Sequence, residues 1–222
     1  EGAFVKGQPE GKGKITAPDG RIYEGEWVQG QMTGVGKATY ANGSVYEGSF
    51  VKGTHNGDGK LTNPSGYTYD GDWVLGVKEG TGIITYPDGT VYEGSLVKGQ
   101  RSGKGKLTMP DGLVYQGDWA EGQINGKGIL TQPNGDLYEG SFKDGLRDGQ
   151  GKLTHKNGDI YYGAWAKDHR QGQGSFTTTD GFKYEGAWVA GRMEGTGSIT
   201  DPDGAVYIGA MKADQPNGQG AI

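Results

Sequence analysis

Residues 46–68 read YEGSFVKGTHNGDGKLTNPSGYT, and this 23-residue stretch is one copy of a unit that recurs along the chain. Its opening Tyr-x-Gly returns at a constant interval of 23 residues. The tyrosines concerned are Tyr23, Tyr46, Tyr69, Tyr92, Tyr115, Tyr138, Tyr161, Tyr184 and Tyr207. Self-similarity at a fixed period of this length is typical of repeat architectures. We therefore predict one continuous array over residues 1–222, made of ten units, eight of them complete and the array truncated at both ends.

Within each unit, residues are counted from the tyrosine at position 0. Positions 0, 2 and 4 carry Tyr, Gly and a large apolar residue, whereas positions 11, 13 and 15 carry Gly, Gly and an apolar residue that is usually aliphatic. This period of two is typical of strands with one buried face. A turn such as Pro110-Asp111-Gly112 closes each unit. The pattern predicts an all-β fold, an elongated single-layer antiparallel meander of 23-residue β-hairpin repeats.

Large rings at position 4 predict a structural aromatic ladder. A strand that lacks side chains leaves room for a ring, so we expect each ring to lie over the glycines at positions 11 and 13 of a neighbouring strand. The predicted ladder consists of Phe4, Trp27, Phe50, Trp73, Trp119, Phe142, Trp165 and Trp188.

The opposite face is predicted to be polar. Position 1 is mostly acidic and position 14 is often lysine, as in Glu47 and Lys60. These residues are expected to pair across strands on a solvated face, where each pair contributes a few tenths of a kcal/mol.

Composition limits the function classes. The 222 residues include 47 glycines, thirteen tyrosines, five tryptophans and no cysteine, with a net charge of −5. Acidity argues against nucleic acid as a partner and disfavours membrane association, which stays possible. No run of 18 apolar residues occurs, so we expect a soluble chain without a transmembrane segment, in an unknown compartment. Because the sequence begins at Glu1, we expect a processed form or an excised fragment.

No catalytic, cofactor-binding or metal-binding residue is predicted. The histidines His55, His155 and His169 occupy different positions of the repeat and are expected to be surface residues. Polar residues at the turn tips, including Asp111, Asn134 and Asn157, suggest calcium, but turn chemistry already accounts for them. We predict that the protein is not an enzyme and needs no cofactor.

The unit Tyr-Glu-Gly-x-Trp/Phe-x-x-Gly-x-x-x-Gly-x-Gly-x-x-Thr-x-Pro-Asp-Gly resembles the MORN repeat (membrane occupation and recognition nexus) over the whole chain. The resemblance implies a solenoid-like twisted rod and a non-enzymatic scaffold that joins partner proteins, cytoskeleton or membranes. The departures from the pattern are Asp168 and Asp214 at position 7, Gln116, Tyr162 and Ile208 at position 1, and Lys156 and Thr179 in the turn. Most follow residue 155, so the last units are expected to carry a distinct surface or to be a degenerate end.

Three functions are compatible with these patterns. The first is a repeat scaffold for protein–protein interaction or assembly, with Tyr40, Tyr86 and Met109 at position 17 as candidate surface contacts. The second is a head-to-tail filament formed through open end strands. The candidate assembly residues are Gly2, Phe4, Gly218, Gly220 and Ile222. The third is a module that binds lipid head groups or glycans. The partner is accordingly expected to be a protein or a second copy of the chain.

Overall fold

A computed structural model describes residues 1–218 of the protein. All regular secondary structure in this range is β-strand, which confirms the predicted all-β fold of antiparallel hairpins. The strands belong to two compact units, Glu1–Pro110 and Asp111–Ile222. The continuity of the array across both units stays a prediction.

In each unit the strands pair antiparallel with their neighbours in sequence. The strands of the first unit are β1 Gly2–Val5, β2 Gln8–Thr16, β3 Ile22–Val28, β4 Gln31–Thr39, β5 Val45–Val51, β6 Thr54–Thr62, β7 Thr68–Val74, β8 Val77–Thr85, β9 Val91–Val97 and β10 Gln100–Thr108. Those of the second are β11 Val114–Ala120, β12 Gln123–Thr131, β13 Leu137–Lys143, β14 Leu146–Thr154, β15 Ile160–Ala166, β16 His169–Thr177, β17 Lys183–Val189, β18 Arg192–Thr200, β19 Val206–Lys212 and β20 Gln215–Pro216.

A two-residue turn joins the short and long strands of each repeat at positions 6 and 7. In the turn between β7 and β8 both residues have positive φ, 48° at Leu75 and 82° at Gly76. This combination defines a type I′ turn, whose twist matches that of the flanking strands. The Leu75 N–H donates to Asn56 Oδ1 at 3.3 Å, and the Gly76 N–H donates to the His55 carbonyl at 2.9 Å. Each turn is thereby fastened to the preceding repeat.

The turn at Leu75 offers a stabilising substitution. Leucine is disfavoured at positive φ, whereas Asn-Gly is a preferred pair for this turn. The Leu75 side chain is 71% exposed and contributes little to packing. We expect Leu75→Asn to stabilise the protein by about 0.5–1 kcal/mol, because the strain is relieved without loss of a core contact. A higher midpoint of urea unfolding would show it. Leu75→Val is the matched control and should lower the midpoint, since a β-branched residue fits this φ least well.

The glycine at position 11 lies at an irregularity in each long strand. The pairing of β7 with β8 shifts register between Gly71 and Trp73, opposite a stretch that contains Gly80 with φ of 78°. A bulge that needs positive φ favours glycine for conformational reasons alone. The positive φ of the backbone therefore explains why position 11 is glycine. The aromatic ring on the opposite strand is not the reason for this glycine.

The glycines at positions 2 and 13 pair with each other beneath the tyrosine at position 0. Gly163 lies opposite Gly174, and a Cβ on either residue would fall 2.6 Å from Tyr161 Oη. The Tyr161 hydroxyl passes over this pair and donates to the Ala164 carbonyl at 2.9 Å. The sequence prediction was wrong here, because it assigned the cover of position 13 to the ring at position 4. The tyrosine fills the space that both glycines leave open.

Candidate protein-binding face

The rings at positions 0 and 4 form a zigzag of edge-to-face contacts within each unit. Tyr161 contacts Trp165 of its own repeat and Trp188 of the next, with ring centroids 5.2 Å apart in both pairs. Such contacts add to the energy of area burial. The predicted ladder residues that are buried are Trp27, Phe50, Trp73, Trp119, Phe142, Trp165 and Trp188.

Phe4 departs from the predicted ladder and is 63% exposed. Buried rings at position 4 contact a tyrosine at position 0, as both Trp27 and Phe50 contact Tyr23, at 4.8 and 5.1 Å. Within the described residues no such tyrosine precedes Phe4, and β1 pairs only with β2. The Phe4 ring is therefore flanked by a paired strand on one side only.

A second layer of side chains at position 9 lies over the ladder, and we call it the position-9 stripe. In each repeat position 9 pairs with position 4 across the hairpin, as Arg170 pairs with Trp165. Pro9 and Pro216 hold this position in the end repeats. The stripe is defined as the other members, whose side chains are half-buried: Met32, His55, Lys78 and Arg101 in the first unit and Ile124, Arg147, Arg170 and Met193 in the second. Sequence reasoning missed it, because the chemistry at this position changes from repeat to repeat while only its phase is constant.

The cations of the stripe lie against aromatic rings. Lys78 Nζ is 4.4 Å from the centroid of Tyr67 and 5.1 Å from that of Tyr69. The Arg170 guanidinium is 4.9 Å from the centroid of Tyr161 and 5.0 Å from that of Trp188. Cation–π contacts of this kind stabilise a partly desolvated charge. Burial lowers the pKa of both Lys78 and Arg170.

One arginine of the stripe has an internal carboxylate. Arg147 Nε donates to Asp168 Oδ1 at 2.9 Å, and Arg147 Nη2 donates to the Asp168 carbonyl at 3.0 Å. Asp168 stands at position 7, where most repeats have glycine, and keeps the positive φ of that turn, 67°. One of the sequence departures after residue 155 thus serves to hold Arg147.

Arg170 and Lys78 occupy the same position of the repeat without such a partner. Glycines Gly191 and Gly99 stand where Asp168 stands relative to Arg147. In residues 1–218 neither cation has a carboxylate within ion-pair distance. Arg170 Nη2 instead contacts His155 Nε2 at 3.4 Å, and Lys78 Nζ donates to the Tyr67 hydroxyl. Asp214 attracts Arg170 only at longer range.

Comparison with known protein families decides the identity of the repeat. The family described as MORN repeat matches ten consecutive segments, which span residues 1–20, 23–45, 46–66, 69–91, 92–114, 115–137, 138–160, 161–182, 184–206 and 207–221. The chain belongs to the MORN repeat family. No curated protein sequence matches it.

Several solved structures are similar to this MORN-repeat chain at low sequence identity. The TCP10 domain of CPAP from Danio rerio is 15% identical with a TM-score of 0.52, over 94% of this chain and 97% of that chain. The G-box domain of the microcephaly protein CPAP is 17% identical with a TM-score of 0.46, over 91% of this chain and 100% of that chain. The TCP domain of SAS-4 from Drosophila melanogaster, solved with a proline-rich motif of Ana2, is 14% identical with a TM-score of 0.41, over 95% of this chain and 98% of that chain. The first of these shows a shared fold.

One of the three histidines is built into the aromatic face of the MORN repeats. His55 stacks on Tyr46 with centroids 3.6 Å apart, and its Nε2 lies 2.5 Å from the Tyr40 hydroxyl. Burial lowers the pKa of His55 to about 4. The prediction of a surface histidine was therefore wrong for His55, because it lies over the ladder. His155 is partly exposed between Asp136 and Arg170, and His169 is exposed.

The low pKa of His55 predicts a pH-dependent stability. An unfolded histidine has a pKa near 6.5, so between that value and about 4 the unfolded chain binds a proton that the folded MORN repeat excludes. Stability should be complete above the unfolded pKa and decrease as the pH falls toward 4. We expect the urea midpoint of His55→Met to depend less on pH in this window, since Met32 occupies the same position of the repeat. The exposed variant His169→Gln should keep the wild-type pH dependence.

The candidate contacts at position 17 differ in their surroundings. Tyr40 and Tyr86 are half-buried, and Tyr86 lies edge-to-face with Tyr67 at 6.0 Å. Met109 is 36% exposed. Tyr40 and Tyr86 border the position-9 stripe through His55 and Tyr67, and all three residues stay predicted contacts.

The candidate assembly residues lie partly outside the described range. Gly2 and Phe4 belong to β1, whereas Gly218 follows β20 and lies outside a strand. Gly220 and Ile222 lie beyond residue 218. Pairing of these ends between copies stays a prediction, and sedimentation velocity over a range of concentrations would test it.

The opposite face carries the predicted charge ladder. Lys37 Nζ lies 2.7 Å from Glu47 Oε1, Lys14 Nζ lies 3.6 Å from Glu24 Oε2, and Lys60 Nζ lies 3.9 Å from Asp70 Oδ2. These pairs are about half exposed, so each contributes little to stability.

The described residues, 1–218, hold no group of three or more His, Asp or Glu side chains that could bind a metal ion. The turn-tip residues Asp111, Asn134 and Asn157 accept N–H groups two residues later in the turn. No helix in residues 1–218 is long and apolar enough to cross a membrane.

Proposed function

We propose that this MORN-repeat chain is a non-catalytic scaffold that binds acidic, extended segments of another protein on the position-9 stripe of each unit. The observation that carries the proposal is the contrast between Arg147, which has the Asp168 carboxylate, and Lys78 and Arg170, which have none within ion-pair distance in residues 1–218. Half-buried cations are costly without a counter-charge. A carboxylate from a partner would supply it.

The surroundings of the two cations support a protein ligand. Each cation lies beside one partly exposed aromatic ring, Lys78 beside Tyr67 and Arg170 beside Phe176, and such rings favour contact with extended peptide. The chain carries a net charge of −5, so attraction to an acidic ligand has to come from this local stripe. The ion-paired ladder of the opposite face offers no comparable excess of positive charge.

Titration with a polyglutamate peptide of about fifteen residues tests the proposal. Tryptophan fluorescence reports binding, since Trp188 lies against Arg170. We expect saturable binding that weakens as salt rises, and a dissociation constant at least about fivefold higher for Lys78→Met and for Arg170→Met. Met fits both sites because Met32 and Met193 occupy the same position of the repeat.

Lys52→Gln is the matched control for charge. It removes one positive charge at an exposed turn where another repeat already has Gln29. Affinity should stay close to wild type. If all three variants weaken binding equally, the change in net charge alone explains the effect and the proposal is contradicted. The absence of binding to the wild-type chain would contradict it as well. Tighter, stripe-dependent binding to phosphatidylserine vesicles or to sulfated glycan would replace the protein ligand with a lipid or glycan.

A further inference from the structure

We propose that the bound segment is a polyproline II helix whose every third side chain meets one repeat, with a carboxylate at Arg170 and an apolar side chain at Met193. This inference rests on the proposed function and specifies the conformation and spacing of the ligand. The spacing of positions along the stripe is set by the strands of the sheet and does not depend on which side chains occupy them.

Consecutive position-9 residues in one unit are two strands apart. Neighbouring strands lie about 4.8 Å apart, so the stripe presents one side chain about every 9.5 Å. The order in the second unit is Ile124, Arg147, Arg170 and Met193. A ligand that runs along the stripe has to return a side chain to the same face with this period.

The polyproline II helix has this period. It has three residues per turn and rises about 3.1 Å per residue, so every third side chain returns to one face after about 9.3 Å. In a β-strand residues three apart point to opposite faces. An α-helix returns to the same face after seven residues, about 10.5 Å, and would slip by about 1 Å at each repeat.

The chemistry along the stripe then defines the ligand sequence. Arg147 is already paired with the Asp168 carboxylate, so the ligand needs no carboxylate at this position. Arg170 has no carboxylate at ion-pair distance in the described part of the chain, and the next position along the stripe is the half-buried thioether of Met193. A Glu or Asp followed three residues later by an aliphatic side chain matches this pair. The half-buried ring of Phe176, whose centroid lies 5.2 Å from the Arg170 guanidinium, favours prolines beside the carboxylate.

Three proline-rich peptides of identical composition test the spacing. Each is about twelve residues long and contains one Glu and one Leu, placed two, three or four residues apart in a proline frame. Titration calorimetry on the full chain should give the lowest dissociation constant for the three-residue spacing, lower by about fivefold than for the other two. Equal affinities for all three spacings would overturn the polyproline II register and leave the proposed function standing.

A substitution in the protein separates the two proposals further. Gly191→Asp places a carboxylate beside Arg170 as Asp168 is placed beside Arg147, at a turn with φ of 86° that aspartate tolerates. The variant should bind the three-spaced peptide at least about fivefold more weakly. Gly122→Ala, at the same turn position in another repeat, is the control for turn strain and should leave the affinity unchanged. Weaker polyglutamate binding by Arg170→Met, with no effect of Gly191→Asp on the three-spaced peptide, would keep the scaffold proposal and contradict the polyproline II ligand with its carboxylate at Arg170. If neither polyglutamate nor any spaced peptide binds, both proposals fail.

Discussion

Gly174→Ala is expected to destabilise the protein by about 3 kcal/mol, a large effect for one added methyl group. The new Cβ would lie 2.6 Å from Tyr161 Oη and 2.8 Å from Tyr161 Cζ, far inside van der Waals contact. Tyr161 is fully buried and its hydroxyl donates to the Ala164 carbonyl. The ring therefore has to move, and both its packing and this hydrogen bond suffer. Urea unfolding followed by circular dichroism measures the loss.

Gly172→Ala is the matched control in the same strand. Gly172 has φ of 75°, but a Cβ there would meet only Ala164 Cβ at an ordinary 3.5 Å. The cost should be about 1 kcal/mol, from backbone strain alone. Tyr161→Phe removes the atom nearest to the added methyl, so its effect combined with Gly174→Ala should be less than additive. Equal losses for Gly172→Ala and Gly174→Ala would contradict the role assigned to the tyrosine.

Trp165→Ala is expected to cost about 4 kcal/mol, since large-to-small changes at buried rings leave a cavity. The Trp165 ring lies 5.3 Å from Tyr138 and 5.2 Å from Tyr161. Its Nε1 donates to the Gly151 carbonyl at 3.3 Å, and the Arg147 guanidinium lies 4.2 Å from the ring centroid. The substitution therefore removes contacts with two repeats at once. Thermal and urea unfolding should both report it.

Two variants calibrate this result. Phe4→Ala alters the same position of the repeat where the ring is exposed, and should cost less than about 0.5 kcal/mol. Trp165→Phe keeps an aromatic ring, as Phe142 does in the preceding repeat, and should cost about 1–2 kcal/mol through the lost indole hydrogen bond and the smaller ring. A loss for Phe4→Ala as large as that for Trp165→Ala would argue against a ladder held by contacts between repeats.

The sequence predicted those features that follow from local backbone preference and recur at a fixed period. The alternation of Tyr161, Gly163 and Trp165 predicts a strand with one large face, and the glycine-containing segments predict the turns. Acidic residues at position 1 and lysines at position 14 were predicted to pair because they recur in phase on the polar face, and Lys37 and Glu47 do so. The period also identified the family.

What the sequence left undetermined depends on contacts between repeats. Whether Tyr161 or Trp165 covers Gly174 depends on strand register and on the direction in which each ring leaves the sheet. Likewise, Asp168 is a plain departure from the glycine pattern until the fold brings it to Arg147, 21 residues earlier.

The sequence by itself determined the all-β hairpin repeat and its turns, because these follow from periodicity and local backbone preference. Only the tertiary structure decided which ring fills the space over the glycine pair, which histidines are partly buried, and that position 9 forms a half-buried stripe in each unit. The physical reason is that each of these depends on side chains from different strands meeting on one face, and the stripe has no constant residue type by which a sequence pattern could reveal it.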